Sequence, residues 1–81
     1  MEKLTEKELR AKTIKRVSEF IENNNNNFEA GKAAFMRIFE EALARGIRMN
    51  RQEVIDRRTA EIEIAKNLTP ETLSGKEKNN A

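Results

Sequence analysis

An all-α fold is predicted for this chain: a helical hairpin with a third helix packed on it. Three observations predict it. Apolar residues recur every three to five positions in three separate stretches, each stretch opens on a residue able to cap a helix, and nowhere do apolar and polar residues alternate over a strand length. The 81 residues make one small domain, near the size at which a single core leaves only marginal stability. With 37% apolar and 37% charged residues, a partner or a second copy would help to cover what the fold leaves exposed.

The first helix is predicted over about 6–22. Thr5 to Glu8 reads as a capping box, in which the Thr5 hydroxyl covers the N–H of Glu8 and the Glu8 carboxylate reaches back. Leu9, Ile14, Val17, Phe20 and Ile21 form its apolar stripe, and Lys7, Arg10, Lys15 and Glu22 decorate the rest. Asn23 to Asn27 is a run of asparagines, whose side chains compete for backbone hydrogen bonds and tolerate left-handed conformations, so the helix must stop there. A linker that short makes the next helix an antiparallel neighbour.

The second helix, about 28–45, is the core element and holds three of the four phenylalanines. At about 100° per residue, Phe28, Gly31, Phe35, Ile38, Phe39, Ala42 and Leu43 share one face, with Arg37, Glu40, Glu41 and Ala44 opposite. Asn27 is its expected cap, Glu29 suits the positive end of its dipole and Arg45 the negative end. Gly46 is expected to end it in the left-handed conformation, with Ile47 folding back on the last turn.

A third helix over about 51–67 is expected to take Asn50 as cap and Glu53 as the capping-box partner. Val54, Ile55, Arg58, Ile62 and Ala65 share its inner face, with Ile64 and Leu68 toward the edge. Thr69 and Pro70 suit the start of one further turn over 70–74, and the polar stretch 75–81 is expected to be a disordered tail. The folded domain then spans 1–74.

Composition excludes more chemistry than it suggests. The chain has no histidine, cysteine, tryptophan or tyrosine, which removes disulfides, most metal ligands, the commonest general base and the best nucleophile. The acidic pairs Glu40–Glu41 and Glu61–Glu63 are expected on the surface among arginines, where nothing separates two carboxylates into acid and base. Gly31–Lys32 lacks the glycine-rich lead-in of a phosphate loop. The protein is therefore expected to be no enzyme and to need no cofactor. No apolar run reaches the ~20 residues of a membrane span, and the charged first twenty residues do not read as a signal peptide, so a cytoplasmic location is expected.

Two binding functions remain. In a helix-turn-helix reading, Gly46 is the turn glycine and Arg48, Arg51, Gln52, Arg57 and Arg58 lie on or near a recognition helix. That register puts Glu41, Arg45 and Gln52 at positions that should be buried, and no segment of the chain carries a marked excess of positive charge. Nucleic acid is therefore the runner-up. The favoured reading is a protein-binding module, with Phe35, Met36, Phe39 and Leu43 on a stripe broader than one neighbour would cover; if that stripe is core, the partner surface lies elsewhere, for example on the arginine-bearing face of the third helix (Arg51, Arg57, Arg58). The same stripe also fits plain core, or a homodimer interface.

From its charged first helix through N-N-N-N-N-F-E-A-G-K-A-A-F-M-R-I-F-E-E-A-L-A-R-G-I to N-R-Q-E-V-I-D-R-R-T-A-E-I-E, the chain resembles the cytoplasmic antiholins, small lysis-inhibition accessory proteins of T4-like phages. The resemblance implies a protein of the infected bacterial cytoplasm that binds the soluble segment of the phage holin and delays lysis. It supplies no site residues. A phage inhibitor of a host enzyme would share the same features.

Overall fold

The structure, a computed structural model, describes residues 4–74, and within them the fold is all-helical. Helix α1 spans Glu6–Glu22, α2 Phe28–Arg48, α3 Gln52–Lys66 and the short α4 Pro70–Ser74. The expected tail over 75–81 lies outside the described residues.

Helix α1 begins as its sequence requires. The Thr5 Oγ1 accepts from the Glu8 N–H at 3.1 Å, and the Thr5 N–H donates to Glu8 Oε1 at 3.0 Å. The asparagine run ends it by the mechanism its side chains suggest. Asn24 Nδ2 donates to the Phe20 carbonyl at 2.7 Å, the Asn26 N–H donates to the Ile21 carbonyl at 2.9 Å, and Asn25 and Asn26 both take positive φ, at 62° and 59°. Asn27 then caps α2, its Oδ1 accepting from the Ala30 N–H at 2.8 Å.

The junction of α2 and α3 differs from expectation. Gly46 does not stop α2; it is helical and buried, because Val54 and Ile55 of α3 pack against it, and a Cβ there would meet Val54 Cγ1 at 2.9 Å. The left-handed residue is Asn50, with φ 54°. The Arg51 N–H donates to the Gly46 carbonyl at 3.0 Å and the Asn50 N–H to the Ile47 carbonyl at 3.1 Å, the paired bonds of a Schellman stop placed four residues later. Spent on that turn, Asn50 caps nothing, and α3 starts after Arg51 with no side-chain cap. Ile47, expected to fold back, is 58% exposed.

Helix α3 finishes on help from α2. Lys32 Nζ donates to the carbonyls of Lys66 at 3.0 Å and Leu68 at 3.1 Å, placing a cation on the negative end of α3. Thr69 Oγ1 accepts from the Thr72 N–H at 3.2 Å, so the predicted extra turn is present as α4, and Leu73 packs against the core.

Val17, Phe35, Ala65 and Leu68 form the buried centre. Phe20 meets Phe35 edge-on, with centroids 5.6 Å apart, and Phe39 stacks on it at 4.0 Å. The α1–α2 hairpin closes tightly where Gly31 lies against the backbone of Ile21. Ile38, assigned to the core face, is 48% exposed, because that face spans more of the helix circumference than α1 and α3 cover. Leu68, assigned to an edge, belongs to the centre.

Thr13 is 97% withdrawn from solvent and its Oγ1 has no hydrogen-bond partner. A buried unpaired hydroxyl costs about 1–3 kcal/mol. Thr13→Val keeps the shape and removes the polar atom, so it is expected to raise stability by about 1 kcal/mol, seen as a higher denaturant midpoint at unchanged m-value. A lowered midpoint would mean that the hydroxyl is satisfied in solution.

Candidate functional site

The residues expected at a partner surface separate into three places. Phe35 is wholly buried and offers a partner nothing; at this position the core alternative holds. Phe39, Arg57 and Arg58 line a cleft where α1 faces α2 and α3. Met36, Leu43 and Arg51 lie away from that cleft, Met36 packed in part on the core, Leu43 half-buried and Arg51 exposed.

The cleft, of about 360 Å³, is walled by Lys12, Thr13, Lys15, Arg16 and Glu19 of α1 and by Arg57, Arg58 and Glu61 of α3, with Phe35 and Phe39 at its base. Positions 12, 15, 16 and 19 share one face of α1 by helical period, which is why four charged side chains reach one opening. Arg16 pairs with Glu19 at 3.4 Å, both more than half exposed. Glu61 is the unexpected member. Expected on the surface with Glu63 among arginines, it is buried, since it follows Arg58 by three positions and precedes Ala65 by four on the inner face. Two cations compensate its burial: Arg58 Nη1 donates to Oε1 at 2.6 Å and Arg57 Nε to Oε2 at 3.2 Å. Arg58 also lies over the Phe39 ring, 5.2 Å from its centroid.

Five cations and two carboxylates thus surround one opening. Charge counted along the chain misses this, because the cations come from two helices, 41 to 46 positions apart in the chain, and meet only in the fold. The spacing of Lys12, Lys15 and Arg16 was the available signal.

The second surface is apolar. By helical period Met36, Leu43 and Ile47 share one flank of α2, and Ile55 and Ile62 share the flank of α3 beside it; Ile55 approaches Gly46 between them. Ile47 is 58% and the neighbouring Met49 60% exposed, while Leu43, Ile55 and Ile62 are half-buried. Arg48 and Arg51 stand exposed at its end. Around Gly46 there is no helix-turn-helix turn, since α2 runs through it.

Among the described residues no cluster of histidine, cysteine or acidic side chains is arranged to hold a metal ion, and no helix is long and apolar enough to cross a membrane. No known protein family, curated protein or solved structure matches the chain, so these two surfaces are what speak to its function.

Proposed function

We propose that the protein is a non-enzymatic regulator that binds another protein along the flank of α2 and α3. One observation carries this reading: among the described residues the fold buries only four hydrophobic side chains, while on one flank Leu43, Ile55 and Ile62 stay half-buried and Ile47 exposed. A stripe of this kind, at helical spacing on two adjacent helices, is complementary to the apolar face of a third helix. Met36, half-buried on the same flank, adds a side chain that adapts to a partner's shape. Arg48 and Arg51 at the end of the stripe favour a segment with acidic residues at the matching end, which sets its direction.

The resemblance to the cytoplasmic antiholins names the partner: an amphipathic cytoplasmic segment of a phage holin. Held on the flank, that segment is withheld from the assembly that opens the membrane, and lysis is delayed by stoichiometric binding with no chemical step. Self-association through the same flank competes for it, so a dimer formed at high concentration is expected to dissociate as the segment binds.

Affinity capture of the tagged protein from phage-infected bacteria, with nuclease treatment and a high-salt wash, tests the reading. The holin is expected to stay bound to the native chain. Ile47→Asp, which puts an acid in the last turn of α2 against the helix dipole, is expected to cost about 1 kcal/mol while the chain stays folded, and to lose the holin. Retention of the holin by Ile47→Asp would move the interface elsewhere, and recovery of nucleic acid that leaves with salt would return the DNA-binding reading.

A further inference from the structure

The geometry points to a phosphate-binding site in the cleft between α1 and α3, separate from the apolar flank and independent of what binds there. The cleft is short of negative charge: Lys12, Lys15, Arg16, Arg57 and Arg58 face only Glu19 and Glu61. Arg16 is satisfied by Glu19, and Arg57 and Arg58 share Glu61, while Lys12 and Lys15 pair with no carboxylate among the described residues. Like charges gathered at one opening repel one another, and an anion seated between them removes that cost.

The chemistry of the lining selects among anions. An excess of three positive charges favours a multiply charged ion over a carboxylate. The cations stand on two opposing walls, lysines and an arginine on α1 and two arginines on α3, so they can grip a tetrahedral oxygen array from both sides, whereas a carboxylate presents two oxygens in one direction. The aromatic base does not suit a nucleobase: Phe35 stacks on one face of Phe39 and the Arg58 guanidinium lies over the ring, leaving no free face for stacking. The ligand is therefore a phosphate group as the free ion or as a small phosphomonoester, and a volume of about 360 Å³ holds either with water around it.

The test is titration of the full chain with inorganic phosphate, followed by calorimetry and by thermal unfolding, against sodium chloride and sodium acetate at matched ionic strength. Phosphate is expected to bind saturably and to raise the unfolding temperature beyond either control. Lys12→Gln and Arg57→Gln are each expected to weaken binding about tenfold, as loss of one charge-assisted contact does. Arg37→Gln, on the exposed far face of α2, is expected to leave it unchanged. A phosphomonoester such as glycerol phosphate binding more tightly than the free ion would identify the ester as the source. Equal stabilisation by phosphate and by the matched salts would overturn the site, as would Lys12→Gln and Arg37→Gln behaving alike.

Discussion

Gly31→Ala is expected to destabilise the protein by about 2 kcal/mol or more, although alanine is the better helix former by about 1 kcal/mol. The sign turns on what the new methyl meets. Gly31 sits in α2 against α1, and a Cβ there would lie 2.7 Å from the backbone nitrogen of Ile21 and closer still to its Cα. Backbone cannot rotate away, so the hairpin must open along the line that buries Val17 and Phe35. Gly46→Ala supplies the control. Its Cβ would meet the Val54 side chain at 2.9 Å, a side-chain contact where Gly31 faces backbone, and the loss should be smaller. Denaturant midpoints of the two variants decide this; a Gly31→Ala protein more stable than native would show that the hairpin is not closed as described.

Phe35→Ala is expected to cost about 3–5 kcal/mol, enough to remove most of the stability of a domain this size. The ring is wholly buried, meets Phe20 edge-on and Phe39 face-on, and touches the centre shared by all three long helices. Its loss leaves a cavity that helices anchored by capping and by Gly31 cannot close. A Phe35→Ala protein that melts near the native temperature would contradict the core assignment. Contrast with Ile47→Asp matters here, since the same helix carries both residues: one change should remove most of the stability, the other should remove binding from a chain that still folds.

Much of the fold was legible because local signals act within a few residues. The capping box at Thr5, the asparagine loop, the Asn27 cap and the Thr69–Pro70 turn each depend on side chains within four positions, and each appears in the structure as read. Where a residue's fate depends on a partner distant in the chain, local reading errs. Gly46 looked like a helix stop, yet α3 needs that spot for Val54, and Asn50 supplies the left-handed turn instead. Glu61 looked like surface because of its charge, yet its position on the inner face of α3 buries it, with Arg57 and Arg58 as the compensating pair. The same limit hid the basic cleft. Lys12 and Arg57 are unrelated until α1 and α3 pack, and only then does a chain with a formal net charge of +2 show a concentrated positive opening.

The two surfaces divide the physical work differently. An apolar stripe gives affinity that changes little with salt, whereas a cation-lined cleft gives binding that weakens as salt rises. Binding of the partner segment and binding of phosphate should accordingly separate by ionic strength in one protein.

The most direct measurement is calorimetric titration of the native chain with a synthetic peptide of the cytoplasmic segment of a phage holin, the proposed partner, repeated with Ile47→Asp and at raised salt. Saturable one-to-one binding is expected, with a negative heat-capacity change from apolar burial, little loss at high salt, and no binding by a fully folded Ile47→Asp protein. No heat with the native chain, or equal binding by Ile47→Asp, would contradict a protein-binding flank on α2 and α3.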